Sequence, residues 1–142
     1  MKASILKFFL IPVGLGIVYL SACSGGASQK KAESINAGLA LFKTNCSACH
    51  QENGEGIAQL YPPLQGSDLL KGNPAQIACI IHNGLNGKLI VNGVEYNQMM
   101  PALAGLTPQE SADIANYVLN NFNHLDTYMD ADLVSKQWAK CK

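Results

Sequence analysis

Arginine is missing from the 142 residues of this chain, and all ten of its cationic side chains are lysine. The forked, two-point recognition of phosphate or carboxylate that a guanidinium provides is therefore excluded. Charged residues make up only 14% of the chain and the formal net charge is zero, which argues against a nucleic-acid-binding protein. The length suits one domain of ordinary size.

Side-chain arrangements for hydrolytic chemistry are also missing. The acidic residues are spread along the chain rather than paired. Serine, histidine and aspartate do not occur in an arrangement suited to nucleophilic catalysis. The sequence therefore gives no support for a hydrolase, and we expect a protein that is not an enzyme.

The first 22 residues have the layout of a secretory signal peptide. Lys2 and Lys7 form a positively charged start, the uncharged apolar run 8–20 follows, and small residues come next. An apolar run of 13 residues is short for a membrane span, which takes about 20 residues. We predict that residues 1–22 direct export and do not belong to the fold; an uncleaved membrane anchor is the alternative.

The end of this segment, Leu20-Ser21-Ala22-Cys23, resembles a bacterial lipobox, in which the cysteine is lipidated and becomes the mature N-terminus. Acyl chains contribute roughly 0.8 kcal/mol per buried CH2 to membrane binding, so several of them would anchor the protein firmly. Some bacteria use an aspartate directly after the lipidated cysteine as a sorting signal. This chain has Ser24 at that position instead, which favours the outer membrane. We therefore expect the periplasmic side of a bacterial membrane. An ordinary cleavage site beside an idle Cys23 is the other interpretation.

The rest of the chain is predicted to be all-α with one small hairpin. Serine, glycine, lysine and glutamine dominate residues 23–32, which we interpret as a flexible tether. Asn92-Gly93 between β-prone runs predicts the hairpin. Thr107-Pro108-Gln109-Glu110 is a capping box that opens a helix. Hydrophobic spacing predicts helices over about 32–44, 68–70, 74–82, 108–121 and 130–139, and a hairpin over 88–96.

The sequence Cys46-Ser47-Ala48-Cys49-His50 predicts one covalently attached haem c. Two thiols three positions apart can reach the two vinyl groups of one haem, and the adjacent imidazole is then carried beneath the iron as its proximal ligand. A Cys-x-x-Cys redox pair and half of a zinc site are the alternatives. The chain has no second Cys-x-x-Cys and no βαβ pattern to support them.

An iron held by His50 needs a sixth ligand or has a vacancy there, and a methionine 50 residues downstream of His50 is the candidate. Met100 precedes Pro101 in a loop before the capped helix. A thioether ligand raises the reduction potential and suits electron transfer. Met99 is the competing residue, and either methionine could instead fill the core.

Together these features resemble a class I monohaem cytochrome c. They are the exported haem motif, the loop Tyr61-Pro62-Pro63-Leu64-Gln65-Gly66, the Met-Pro pair and the flanking helices. The resemblance covers about 33–122 and is greatest for the cytochrome domains of periplasmic dehydrogenases, copper nitrite reductases and terminal oxidases. In those, a segment like 81–87 is followed by a hairpin turn, by a pair like Tyr96-Asn97, and by Met-Pro.

The resemblance implies roles for further residues. Gly38 and Phe42 would cross the last core helix near Tyr117. A proline carbonyl would accept the hydrogen bond from the proximal histidine; the spacing points to Pro62, with Pro63 as its rival. The haem-binding set then includes Cys46, Cys49, His50, Pro62, Leu64, Tyr96 and Met100, with His50 and Met100 as the iron ligands. For His82 we weigh a propionate contact against a structural role.

The chain departs from the family pattern after the last core helix. Residues 123–142 form a C-terminal extension, which we expect to pack on the haem domain at 33–122. Cys79 and Cys141 are the two cysteines left over in a chain predicted to be exported to an oxidising compartment. We therefore predict a disulfide between them, which would contribute roughly 4 kcal/mol in the chain-entropy description.

These features predict a single-electron carrier tethered to a membrane by lipid. An iron with both axial positions filled has no place for a substrate. We expect redox proteins as partners: a membrane oxidoreductase, dehydrogenase, reductase or terminal oxidase, contacted through a small, transient interface. The alternative is a haem enzyme or ligand sensor, handling peroxide or nitric oxide, whose sixth ligand is labile.

Overall fold

The computed structural model describes residues 26–141. The signal peptide predicted over 1–22 and the predicted lipidation site, Cys23, lie outside the described residues. The elements, in chain order, are α1 (Gly26–Asn45), α2 (Ser47–His50), α3 (Asp68–Gly72), α4 (Gln76–Asn83), β1 (Leu89–Val91), β2 (Val94–Tyr96), α5 (Pro108–Tyr117), a π-helical segment (Val118–Phe122) and α6 (Ala131–Trp138). The predicted all-α architecture with one hairpin is confirmed. No helix among residues 26–141 combines the length and the hydrophobicity that crossing a membrane requires.

The first helix starts earlier than the sequence predicted. It begins at Gly26, so the flexible tether predicted over 23–32 is corrected to helix for 26–32. Alanine, glutamine and lysine, which make up much of this stretch, are good helix formers. Lys31 also pairs with the carboxylate of Asp126 in the C-terminal extension, which holds the early turns of α1 against the domain.

Helices α1 and α5 cross with their main chains in contact at Gly38. A Cβ at this position would lie 2.0 Å from the carbonyl oxygen of Asp113 and 2.8 Å from the Cβ of Tyr117. Next to the crossing, Phe42 packs against Tyr117 with ring centroids 5.4 Å apart and against Phe122 at 5.3 Å. The crossing of Gly38 and Phe42 with α5 near Tyr117, expected from the resemblance, is confirmed.

A buried polar network fastens the same pair of helices. The Ser34 hydroxyl donates to the Asp113 carboxylate at 2.5 Å and accepts from the Asn116 amide at 2.8 Å. Asn116 also donates to the carbonyl of Met129 and accepts from its N–H, both at 2.8 Å. These bonds satisfy buried polar groups and join α1, α5 and the start of the C-terminal extension.

The hairpin turns at Asn92-Gly93, as predicted. Both residues have positive φ, 51° and 79°, as a two-residue type I′ turn requires. Val91 and Tyr96 point into the domain and are buried. The turn is tied to α3, because Asp68 and Asn92 each accept, through a side-chain oxygen, a hydrogen bond from the main-chain N–H of the other, at 2.8 and 2.9 Å.

Helix α5 begins at its capping box and ends in a wider turn. The Thr107 hydroxyl accepts from the Glu110 N–H at 3.2 Å, and the Glu110 carboxylate accepts from the Thr107 N–H at 2.8 Å. The α-helix stops at Tyr117 and continues as a π-helical segment to Phe122, whereas the sequence predicted uninterrupted helix to about 121. The side-chain amides of Asn120 and Asn123 donate to the carbonyls of Asn116, in the last turn of α5, and of Val118, in the π-helical segment, which compensates for irregular main-chain bonding.

The C-terminal extension packs on the domain through α6. The Asp130 carboxylate caps the helix by accepting from the Leu133 N–H at 2.8 Å, and Val134 is fully buried. Cys141 is joined to Cys79 of α4 by a disulfide, with their Cα atoms 5.6 Å apart. The last residues of the described chain are therefore covalently held against α4.

Candidate functional site

The cysteine motif begins at Cys46, between α1 and α2, and its other four residues form α2. The Cys46 N–H donates to the carbonyl of Phe42 at 2.8 Å, and the His50 N–H donates to the carbonyl of Cys46 at 2.9 Å. The helical path thus continues through the motif and keeps Cys46, Cys49 and His50 on adjoining turns. Neither cysteine forms a disulfide; Cys46 is buried and Cys49 is half-buried.

Burial sets the protonation of the motif. Burial, with a smaller contribution from nearby Cys49, raises the pKa of the Cys46 thiol to about 11, so this sulfur is protonated at neutral pH. Burial also lowers the pKa of His50, against the opposing effect of its hydrogen bond to Pro62. A neutral imidazole is the form that binds a metal.

The His50 ring is oriented by the loop that follows the motif. Its Nδ1 lies 3.0 Å from the carbonyl oxygen of Pro62. A carbonyl oxygen only accepts, so Nδ1 carries the proton and Nε2 is the nitrogen left to bind iron. The spacing favoured Pro62 over Pro63 for this acceptor, and the structure places the Pro62 carbonyl there.

Three adjoining clefts meet at His50 and Met100. Both residues line all three, and Cys46 and Cys49 each line two. The first cleft has mainly aliphatic walls, to which α3, α4, the hairpin, α5, the π-helical segment and two loops contribute. Its aliphatic lining residues are Leu64, Leu69, Leu70, Ile77, Ile80, Ile81, Leu85, Leu89, Val91, Ile114 and Val118. The second opens toward Tyr61, Tyr96 and Met99.

The two methionines occupy different surroundings. Met100 is half-buried and lines every cleft that His50 lines. Met99 is 58% exposed and lines only the second cleft. Main-chain pairing with Leu85 sets this difference: Met100 donates to and accepts from Leu85 at 2.9 and 3.0 Å. Met100 is therefore better placed than Met99 to share a metal with His50.

The remaining residues expected at the site divide into two groups. Leu64 lines the first cleft and Tyr96 the second, so both lie at the site. His82 stacks on Trp138 with ring centroids 4.0 Å apart, on the side of α4 that faces the extension, which favours its structural role.

Three leucines that line the clefts were not predicted from the sequence. Leu85 and Leu89 line the first two clefts, and Leu103 lines the third. Ile77, Ile80 and Ile81 were identified only as the apolar face of a helix. These leucines lie near His82-Asn83-Gly84 and Met100-Pro101 in the sequence. Their spacing is too irregular to match the period of a helix or a strand, so the hydrophobic pattern does not identify them as part of the site.

These residues fit a covalently bound haem. Two unpaired thiols, an imidazole with a free Nε2 and a thioether surround apolar clefts of the kind that buries a planar macrocycle. A zinc site fits less well, since within the described residues no group of three or more His, Cys, Asp or Glu side chains converges on a metal position.

The comparisons with known proteins agree with this chemistry. Residues 35–122 match the family model described as Cytochrome c. The chain is similar to cytochrome c-552 of Thermus thermophilus, with 35% identity over 83 residues, covering 56% of this chain and 63% of that protein. The same-named protein from a second strain of Thermus thermophilus is 34% identical over 92 residues, covering 57% of this chain and 62% of that protein.

A larger relative belongs to a dehydrogenase. The cytochrome c subunit of a quinone-type alcohol dehydrogenase from Gluconobacter oxydans is 31% identical over 86 residues, covering 58% of this chain and 18% of that subunit. The chain therefore spans less than two thirds of the length of each of these three relatives.

Proposed function

The chain belongs to the class I cytochrome c family and carries haem c, and from this premise we propose that it is a single-electron carrier with His50 and Met100 as axial ligands. The observation that carries the proposal is that both side chains line the same clefts, together with the two cysteines of the attachment motif. When bound, the haem supplies an iron that alternates between the ferrous and ferric states.

The chain's own residues have three tasks in this proposal. Cys46 and Cys49 supply the two thioether sulfurs. The Pro62 carbonyl holds His50 with Nε2 toward the iron position and increases its basicity. Aliphatic walls exclude water, which keeps the surroundings of low polarity and limits reorganisation when the charge changes.

Replacing each methionine in turn tests the axial assignment. We expect Met100→Ala to abolish the weak far-red band of ferric iron bound to a thioether and to lower the reduction potential. Met99→Ala is the matched control, because it shortens a neighbouring side chain that is mostly exposed; its spectrum should equal that of the wild type. Loss of the band in Met99→Ala alone would reverse the assignment.

A haem enzyme or ligand sensor requires a sixth position that opens readily. The main-chain pairing of Met100 with Leu85 and the half-buried position of the Met100 side chain support a filled position instead. Rapid binding of carbon monoxide by the reduced wild-type protein would favour the enzyme or sensor.

An apolar rim beside the second cleft supports docking of a redox partner. Tyr61 and Met99 line this cleft, and Ile57 and Leu60, in the same turn as Tyr61, expose 39% and 42% of their surface. Patches of this kind mark interaction sites. The Gluconobacter relative is the cytochrome c subunit of a dehydrogenase, and for this chain we propose a membrane dehydrogenase, reductase, oxidase or other oxidoreductase as partner.

Leu60→Lys tests the rim. We expect it to slow electron exchange with a membrane-bound partner several-fold without changing the reduction potential, because only the contact surface changes. Lys71→Glu, on the exposed end of α3 away from the rim, alters a surface charge as a control. Equal rates for wild type and Leu60→Lys would exclude the rim as the docking surface.

The lipid anchor and the periplasmic location rest on the N-terminal sequence. The apolar run 8–20 and the lipobox ending at Cys23 support export and lipidation. The tethered carrier would then be concentrated near membrane-bound partners.

Substitutions at the lipobox test the anchor. Cys23→Ala should release holoprotein into the soluble periplasmic fraction and remove the acyl mass from the N-terminal peptide. Ser24→Asp should keep the acyl mass and move the protein toward the inner membrane. A wild-type N-terminal peptide without the acyl mass would disprove the lipid anchor, and membrane retention of Cys23→Ala with residues 1–22 still attached would indicate the uncleaved segment as an anchor.

A further inference from the structure

The C-terminal extension is fastened to one side of α4 at three points. The Cys79–Cys141 disulfide joins the two segments covalently. The Trp138 indole N–H donates to the carbonyl of Ala78 at 3.0 Å, and the Trp138 ring stacks on His82 with an interplanar angle of 19°. All three contacts fall within the short stretch of α4 from 78 to 82.

The opposite side and the C-terminal end of α4 face the clefts. Ile77, Ile80 and Ile81 line the first cleft. The Ile81 carbonyl accepts a hydrogen bond from the Leu103 N–H at 2.9 Å, and Leu85, just beyond the helix, exchanges two main-chain hydrogen bonds with Met100. The Met100 loop, residues 97–106, is thus bonded through its main chain to the last turn of α4 and the residues that follow.

Gly84 allows this close approach. It has a φ of +70°, and a Cβ at this position would lie 2.4 Å from the carbonyl oxygen of Met100 and 2.8 Å from the nitrogen of Ala102. The Met100 loop therefore rests directly on the main chain at the end of α4, and a displacement of this helix end would displace the loop.

Helix α4 depends on tertiary contacts for its position. It has eight residues, and no side chain caps its N-terminus at Ala75. A helix of about two turns has little stability of its own in water. The extension supplies its outer contacts, because the haem clefts occupy the inner side.

We propose that the C-terminal extension clamps α4 and thereby positions Met100, through the Cys79–Cys141 disulfide and Trp138. The proposal rests on the proposed function, in which Met100 binds iron. A thioether is a neutral, weak ligand, so the fraction of molecules with an open sixth position depends on how often the Met100 loop moves away. Opening the loop breaks its hydrogen bonds to Ile81 and Leu85, and a fixed α4 makes that opening rarer. Cys79, Trp138 and Cys141 are positioning residues.

The double variant Cys79→Ser/Cys141→Ser tests the clamp in the holoprotein. Imidazole binding to the ferric protein reports how often the sixth position opens, since the apparent affinity scales with the open fraction. We expect this affinity to rise roughly five- to tenfold, the change expected when the closed loop loses the net contribution of one hydrogen bond. The main-chain amides of Leu85 and Met100 should exchange with deuterium faster by a similar factor.

Ser34→Ala is the matched control. It removes a buried hydrogen-bonding group between α1 and α5 and lowers global stability, but it touches neither α4 nor the Met100 loop. Its imidazole affinity should equal that of the wild type. An equal rise in Ser34→Ala and in the double variant would show a general loss of stability and overturn the clamp.

Trp138→Phe covers the case in which the double variant does not fold. It keeps the disulfide and an aromatic ring against His82 but loses the donor to Ala78. We expect a smaller rise in imidazole affinity, in the same direction. Unchanged affinity and unchanged amide exchange in every folded variant would overturn the clamp.

The two proposals fail in different ways. Amide exchange at Leu85 can be compared between the wild type and the variants whichever side chain binds iron. A wild-type ferric spectrum without the thioether band would overturn the ligation by Met100, whereas unaltered exchange in the variants would overturn only the clamp.

Discussion

His50 Nδ1 donates to the carbonyl oxygen of Pro62, and the main chain at Gly56 packs closely against the same carbonyl. A Cβ at Gly56 would lie 2.7 Å from the Pro62 oxygen and 2.4 Å from the Tyr61 oxygen. Main chain packed against main chain leaves this acceptor little freedom to move. The loop that follows the motif therefore sets the orientation of the imidazole.

Gly56→Ala should disturb this hydrogen bond. The added methyl group displaces the Pro62 carbonyl, and the weaker bond makes His50 less basic, which destabilises ferric iron. We expect the reduction potential to rise by roughly 50 mV, the one-electron equivalent of about 1 kcal/mol of lost hydrogen bonding. Potentiometric titration measures the change.

Gly66→Ala is the control for this experiment. Gly66 also has positive φ, but a Cβ there would meet no atom within 4 Å. It therefore introduces the same conformational strain, about 1–2 kcal/mol, without pushing on Pro62. Equal shifts of potential in the two variants would contradict the role given to Gly56.

Gly38→Ala should destabilise the whole domain. The new Cβ would meet the Asp113 carbonyl at 2.0 Å, so α1 and α5 must separate. Overpacking of this kind costs about 1–3 kcal/mol or more. Urea denaturation followed by far-UV circular dichroism measures the loss. Gly26→Ala is the control, in the same helix and with no atom within 4 Å of its Cβ. Alanine favours helix over glycine, so stability should be unchanged or slightly higher; a similar loss in this variant would show that the crossing is not responsible.

The capping box predicts a pH dependence of stability. Hydrogen bonds from the main-chain N–H and then the hydroxyl of Thr107 hold the pKa of Glu110 below its ordinary value of 4.5. Because the pKa of Glu110 is lower in the folded state than in the unfolded state, its carboxylate stabilises the fold at pH values above the unfolded-state pKa. This stabilisation is lost as the pH falls through the lower pKa of the folded state. We therefore expect the denaturation midpoint, measured from pH 7 downward, to fall more steeply for the wild type than for Glu110→Gln. The difference between the two proteins should begin just above pH 4.5.

Glu110→Gln is suited to this comparison because glutamine can also accept from the Thr107 N–H but does not titrate. Parallel pH profiles for the two proteins would show that the Glu110 carboxylate does not contribute in this way.

Asp68→Ala should loosen the hairpin. It removes the acceptor for the Asn92 N–H at 2.8 Å, with an expected loss of about 1 kcal/mol and faster amide exchange at Asn92. Lys88→Ala is the control: its contact with Glu95, 3.0 Å long, joins two largely exposed side chains and should contribute little. A larger effect of Lys88→Ala would mean that the strand pair, rather than α3, holds the hairpin.

Features encoded in neighbouring residues could be predicted from the sequence. The hairpin turn needs only Asn92-Gly93, and the start of α5 needs only Thr107 to Glu110, because in each case the stabilising groups lie within four residues of one another. The early start of α1 was not predicted, since the composition of 23–32 indicates flexibility although several of its residues favour helix. The π-helical end of α5 was not predicted either; its Asn120 and Asn123 side chains bond both to carbonyls of the same helix end and to those of Thr127 and Leu64, and only Leu64 is distant in sequence.

By itself, the sequence determined that this chain attaches haem, because two thiols and an imidazole must be contiguous to reach one macrocycle, and Cys46, Cys49 and His50 are. The tertiary structure decided which neighbouring side chains line the same clefts as the attachment motif. In the sequence, Pro101 favoured Met100 and left Met99 as a competitor; in the structure, Met100 pairs with Leu85 through its main chain and lies beside His50 in all three clefts. Such pairing joins main-chain groups that are distant in sequence, so it forms only when α4 and the Met100 loop have come together.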